Sequence, residues 1–139
     1  MSNLNRAITI AIAAHAGQVD KGGQPYIMHP VRVMLSLKSE EARIVAVLHD
    51  VLEDCPDYAW MVEQAGFSQP VLDALQALTK RHLEAYSDFI ARVGLNPLAT
   101  EVKIADMRDN MDLSRIPFPT DKDYDRVEKY RTHIAILTA

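Results

Sequence analysis

Cysteine is almost missing from this chain of 139 residues: Cys55 stands alone, so no internal disulfide can form and side-chain packing must hold the fold. Its apolar runs are far shorter than a bilayer span, and its N-terminus lacks the basic-then-apolar pattern of a secretion signal. Positive charge is in short supply too. Fifteen Lys and Arg against nineteen Asp and Glu leave a net charge of −4, which argues against broad attraction to nucleic acid or an anionic membrane. An anionic ligand would therefore need a local basic pocket. Repeats, low-complexity tracts, strand alternation and linkers are absent as well. These absences predict one cytoplasmic domain over residues 1–139, with neither nucleic acid nor membrane as a partner.

What is present is helical periodicity, and the expected fold class is all-α, a single helical bundle. Leu4, Ile8, Ala11, Ile12 and His15 share one face of a first helix behind a cap at Asn3. The break at Gly17–Pro25 leads to His29 and Pro30, with Pro30 expected to start a segment from Val31 to Leu37. Ser39 caps a helix running to about Glu53, and Asp57 is read as the cap of a short helix ending near Gly66. Further helices are expected at Ser68–Lys80 and Glu84–Val93, then after the Asn96-Pro97 start signal, and finally at Asp121–Leu137.

Chemistry concentrates at four positions: His29, the pair His49-Asp50, and Asp106. Two imidazoles and two carboxylates from three segments suit a divalent cation that must be held firmly while positions stay open to water. Glu53 and Asp54 follow His49 and Asp50 by four residues each, which brings all four side chains toward one end of the same helical face. Val45, Leu48 and Leu52 suggest that this helix is buried, where unpartnered ionisable groups would cost several kcal/mol. A cation removes that difficulty.

Blander readings exist for each residue. Alone, His29 is a satisfied histidine ahead of a helix, and Asp106 a partner for Lys103, three residues earlier; we take metal binding as the role of both, with Lys103 reaching outward. His15 reads as a core or supporting histidine, His82 and His133 as solvated, and Cys55 as an ordinary structural thiol. Acids at a helix C-terminus oppose the helix dipole, which raises the chance that Glu53 and Asp54 serve chemistry. Lys21, Lys80 and Arg108 are candidate phosphate contacts or, equally, solvated charges. Asn110, one turn past Asp106, is a candidate substrate contact.

The blocks Ala-His-Ala-Gly-Gln, Lys21 to Pro30, His49 to Asp54, Leu78-Thr79-Lys80 and Lys103 to Asp106 with Asn110-Met111 resemble, in order, the HD-type hydrolase domain of the Rel/Spo alarmone enzymes. The small stand-alone hydrolases of that family are the nearest analogues in length. The resemblance implies an HD fold, a manganese ion on His29, His49, Asp50 and Asp106, and removal of the 3′-pyrophosphate from guanosine tetra- or pentaphosphate. It further implies that Glu53 and Asp54 orient or deprotonate the attacking water and that Asn110 contacts substrate. Two positions depart from the family. Asp20 stands where an arginine packs on guanine, and Asp112-Leu113 replaces Arg-Thr, so weaker guanine discrimination is expected. An HD phosphohydrolase for another nucleotide and a non-catalytic nucleotide-binding module are the alternative readings.

Overall fold

A computed structural model describes residues 3–139. Among them are eight α-helices and no strand, extended pairing being limited to a single bridge between Val19 and Pro25. The helices are α1 (Leu4–Ala14), α2 (Met28–Leu35), α3 (Glu40–Asp54), α4 (Ala59–Gln64), α5 (Gln69–Ala77), α6 (Tyr86–Val93), α7 (Pro97–Asn110) and α8 (Asp121–Thr138). The all-α expectation holds.

Several starts are written locally. Asn3 Oδ1 accepts from Arg6 N at 3.1 Å, Ser39 Oγ from Ala42 N at 3.1 Å and Asn96 Oδ1 from Ala99 N at 2.9 Å. Each satisfies a first-turn N–H that has no partner within its helix. Glu40 and Glu41 then lie where the helix dipole favours negative charge.

Helix α3 is the axis of the fold. From Ala42 to Val51 every residue except Arg43 is buried, and α1, α2, α5 and α7 pack around it. Leu48, Val45, Val47 and Val51 are fully enclosed beside Ile10, Val33, Leu75 and Phe89. Each such aliphatic side chain contributes roughly 1.5–3 kcal/mol relative to exposure. The helix thus carries His49 and Asp50 on a rigid element into the densest part of the molecule.

Some boundaries differ from the sequence expectation. Helix α2 begins at Met28, so His29 sits in its first turn rather than ahead of it. Pro30 permits this, because its missing N–H falls where an N–H has no helical acceptor, and the bonds Met28 N→Pro25 O and His29 N→Tyr26 O already tighten the approach. Asp57 caps nothing: it lies inside a 3-10 turn, Pro56–Tyr58, that leads into α4. Helix α5 stops at Ala77, and Arg92 holds the following loop by donating to the carbonyls of Gln76, Ala77 and Thr79. Glu84 belongs to that loop, bound by Arg92 at 2.9 and 3.0 Å, so α6 starts only at Tyr86.

Candidate metal centre and the clefts around it

Three helices deliver the four residues that the sequence singled out. His29 comes from the first turn of α2, His49 and Asp50 from the buried second half of α3, and Asp106 from the middle of α7. One ligand atom from each lies within 4.8 Å of all the others. With metal–ligand bonds of about 2.0–2.2 Å, opposite ligands of one ion stand roughly 4–4.4 Å apart. The cluster has the size of a coordination sphere.

Its internal contacts are polar and close. His29 Nε2 is 2.8 Å from Asp106 Oδ1 and 3.7 Å from Asp50 Oδ2, while His49 Nε2 is 3.2 Å from both Asp50 Oδ1 and Asp106 Oδ1. The buried His49 Nε2 has no hydrogen bond directed at it. A buried polar atom left in that state is costly unless something else satisfies it. That nitrogen, the two carboxylates facing it and the mixed N/O donor set all fit a divalent cation.

Electrostatics carry the same message. Burial alone would lower both imidazoles, yet hydrogen bonds to Asp106 and Asp109 raise His29 to about 9, and the charges of Asp50 and Asp106 raise His49 to about 9. Against its own burial, Asp106 is held well below the usual carboxylate range by His49 and Lys103. The carboxylates thus favour positive charge between them, which a cation would supply.

The outer partners are specific. His49 Nδ1 donates to Ala46 O at 2.6 Å and His29 Nδ1 to Asp109 Oδ2 at 2.6 Å, so both rings turn Nε2 inward. Tyr26 donates its hydroxyl to Asp50 Oδ2 at 2.6 Å. Such partners fix ligand orientation. His15, buried behind Tyr26 with ring centroids 5.0 Å apart, supports that tyrosine and donates from Nδ1 to Gln18 Oε1, 2.8 Å away. Sequence reasoning missed both Tyr26 and Asp109. The tyrosine is one residue within the Lys21–Pro30 block, and nothing near Asp109 in the chain distinguishes it from a surface acid.

Lys103 reverses an expectation. It points inward, with Nζ 3.1 Å from Asp106 Oδ2, because positions 103, 106, 109 and 110 share one face of α7. His133 is likewise half-buried rather than solvated, packed on Tyr86 with ring centroids 4.8 Å apart where α8 folds back. His82 is exposed, as expected.

The remaining candidates lie at different distances from the cluster. Glu53 and Asp54 project from the last turn of α3 and are exposed; Glu53 Oε1 accepts from Lys80 N at 2.9 Å. Partial burial, then Asp50 and Glu53, raise the Asp54 carboxyl. Lys21 and Asn110 line one small cleft with His29, Arg32 and Arg115, and Asn110 Nδ2 lies 3.4 Å from Asp106 Oδ1. Lys80 meets the site through its backbone, while its side chain is in a separate cleft beside Asp73, Arg81 and Arg92. Arg108 is two residues past Asp106, about 200° around α7 from it, and lines a cavity of about 510 Å³ with Ser36, Glu101 and Thr138, which Arg32 and Asp109 also line.

Asp20 has a conformational task at its position. Its Oδ1 accepts from Gly22 N and Gln24 N, both at 2.9 Å, folding the loop that precedes α2. Gly22 in that loop lies so close to Arg115 O that a Cβ would come within 2.5 Å of it, and Gly23 has φ +83°. On the other flank of the cluster, Tyr86, Ser87, Arg126, Lys129, Tyr130 and His133 enclose a cleft of about 550 Å³. Burial and then the charge of Asp106 raise the Tyr130 hydroxyl, so this cleft is within electrostatic reach of the cluster. None of its residues was a sequence candidate for the site.

No family model matches the chain. The chain is similar to the guanosine-3′,5′-bis(diphosphate) 3′-pyrophosphohydrolase of Aquifex aeolicus (strain VF5), at 31% identity over 120 residues covering 78% of this chain and 17% of that protein. It is also similar to the bifunctional (p)ppGpp synthase/hydrolase SpoT of Escherichia coli (strain K12), at 36% identity over 84 residues, 58% of this chain and 12% of that protein. The chain therefore spans less than a fifth of these relatives. A solved structure described as "A metazoan ortholog of SpoT hydrolyzes ppGpp and plays a role in starvation responses" shares its fold, with TM-score 0.73, 18% identity, and 99% of this chain and 85% of that one covered. No described helix is long and apolar enough to cross a membrane.

Proposed function

Since the chain belongs to the Rel/Spo family through its HD-type hydrolase domain, we propose that it is a divalent-metal-dependent pyrophosphohydrolase, removing the 3′-pyrophosphate from guanosine 3′,5′-bispyrophosphate or a related nucleotide. Residues 1–139 act as one such domain in the cytoplasm, with manganese as the ion. The observation that carries the reading is the buried His29, His49, Asp50, Asp106 cluster, with an acid pair one helical turn beyond two of its members.

His29, His49, Asp50 and Asp106 would hold the ion. Bound there, it would supply Lewis acidity toward a phosphoryl oxygen and make water a better nucleophile near neutral pH. The chain's own residues do the rest. Glu53 and Asp54, exposed beside the cluster, accept and return the proton of the attacking water. Lys21 and Asn110 contact substrate from the cleft they share with His29, and Lys80 and Arg108 are weaker candidates because their side chains line other clefts. Lys103 offsets the charge of Asp106. Tyr86 and Tyr130 offer ring faces, and Arg126 and Lys129 positive charge, in a cleft large enough for part of a nucleotide. That is the local basic pocket required by a chain of net negative charge.

A manganese-supplemented hydrolysis screen over guanine and adenine nucleotides, with and without 3′-pyrophosphate, tests the proposal by product identification. Release of pyrophosphate from the 3′ position is the expected result. Turnover of other nucleotides alone would favour the HD phosphohydrolase of different specificity, a reading supported by Asp20 being occupied in folding its own loop. Metal-dependent binding without turnover would leave a nucleotide-binding module and overturn the hydrolase.

A further inference from the structure

His29 and His49 aim the same nitrogen at the cluster but are held by unlike partners. His49 leans on Ala46 O, a carbonyl of its own helix, at 2.6 Å. His29 leans on a side chain from another helix: Asp109 Oδ2, also at 2.6 Å. That carboxylate is itself gripped. Arg32 forks onto it from α2, Nε to Oδ1 at 2.9 Å and Nη2 to Oδ2 at 3.1 Å, while Arg115 Nη2 stands 3.4 Å from Oδ2 and 2.9 Å from Asp109 O. Only 13% of the Asp109 side chain is exposed.

A bidentate arginine fork fixes the plane of a carboxylate as well as its charge. An acid fixed in that way beside Nδ1 does two things to an imidazole. It forces the proton onto Nδ1, leaving the Nε2 lone pair for the cluster, and it makes that lone pair more basic. We infer that Asp109, held by Arg32 and Arg115, is a positioning residue that fixes the tautomer and donor strength of His29 and so sets how tightly the site holds its cation. This rests on the metal reading given above. The rival account is a plain tie between α2 and α7, in which the same bonds only stabilise the fold.

The two accounts separate in the metal affinity of folded protein. Mn²⁺ titration of wild type, Asp109→Asn and Arg32→Gln is set beside Asp106→Asn as the control for the site itself. Outer partners of metal-bound histidines are typically worth about 10–100-fold in affinity. Asp109→Asn is expected to lose that much, and Arg32→Gln, which leaves the acid but loosens its grip, a smaller amount below that range, on the order of 2–10-fold. At saturating Mn²⁺ turnover should largely recover in both, and circular dichroism should remain helical. Nitrogen-15 NMR of the His29 ring gives an activity-independent readout: with both proteins metal-free and the ring neutral, the proton resides on Nδ1 in wild type and is shared between both nitrogens in Asp109→Asn.

Affinity within about twofold of wild type in folded Asp109→Asn, or an unchanged His29 tautomer, overturns the inference in favour of the plain tie. If Asp109→Asn fails to fold, the Arg32→Gln affinity decides alone, and an unchanged value has the same meaning. Failure of the metal reading looks different: wild type would bind no Mn²⁺ that Asp106→Asn abolishes.

Discussion

The two sides of the candidate site are built on opposite principles. In the metal cluster His29, His49 and Asp106 are no more than 5% exposed, the other nitrogen of each histidine is engaged, and Asp50 is bonded by Tyr26. On the proposed substrate side Glu53, Asp54 and Lys21 are exposed, and Lys21 is paired with Asp123, at 3.5 Å. Rigidity is placed where an ion demands fixed distances. Loose cations suffice where a flexible polyanion arrives and long-range charge matters more than geometry.

On that contrast, the largest losses come from the cluster. His49→Ala and Asp50→Ala are each expected to abolish tight metal binding and turnover while leaving a helical protein, because the hydrophobic core extends over α1, α3, α5, α6 and α7 rather than resting on these two groups. Metal analysis and circular dichroism check the two halves of that statement. Full metal occupancy in both purified variants would sink the site assignment.

Next comes the acid pair, at the border between the two sides. Glu53→Gln keeps the shape that accepts from Lys80 N but loses the proton-accepting charge. It should retain metal and lose roughly 10²–10⁴-fold in turnover, the usual worth of general acid–base catalysis. Near-normal turnover would move that role to Asp54, whose carboxyl is already raised by burial, Asp50 and Glu53.

How legible each side was follows from the same contrast. A metal site restricts its ligands to few residue types and surrounds them with buried sequence, so His29, His49, Asp50 and Asp106 stood out by type, spacing and neighbours in the sequence alone. The helices were legible for a similar reason, since Asn3, Ser39 and the Asn96-Pro97 pair act within three residues of themselves. What failed to show was long-range. Nothing local in Asp109 announces His29, 80 positions away, nor does Tyr26 announce Asp50. The orientation of Lys103 depended on which face of α7 is turned inward, and the cleft of Tyr86, Arg126 and Tyr130 exists only once α8 folds back beside α6.

That cleft gives an intermediate effect. Arg126→Ala and Tyr130→Ala are each expected to raise KM about tenfold, near 1.4 kcal/mol, with kcat little changed, as when uniform binding is removed. Steady-state kinetics at saturating metal make the distinction. Unchanged KM in both would remove the cleft from the nucleotide path.

A smaller change is expected at Asp20. Arginine there adds a cation–π contact of about 0.5–1 kcal/mol at an exposed site. It also deletes the bonds to Gly22 N and Gln24 N, each worth on the order of 0.5–1.5 kcal/mol. Since the loss offsets the gain, the guanine-to-adenine ratio of kcat/KM should move by less than about fivefold, which is about 1 kcal/mol. A larger rise would mean that base recognition tolerates a loosened loop and depends on position 20 itself.

Arg108 should matter least, and for that reason it tests the geometry most cleanly. By type and by proximity to Asp106 in sequence it is as good a phosphate contact as Lys21. On the helix it is not: two residues correspond to about 200° of rotation, which turns Arg108 away from Asp106 and Asn110 and into the cavity with Ser36 and Glu101, which Arg32 and Asp109 also line. Arg108→Ala is accordingly expected to leave kcat, KM and metal affinity within about twofold, under 0.5 kcal/mol, as for surface changes remote from a site, whereas Lys21→Ala should raise KM. Measured side by side under one salt concentration, the pair compares distance along the chain with position around the helix. A KM increase for Arg108→Ala matching that for Lys21→Ala would show that substrate wraps across α7, and the division between a rigid metal side and one adjoining nucleotide side would have to be redrawn.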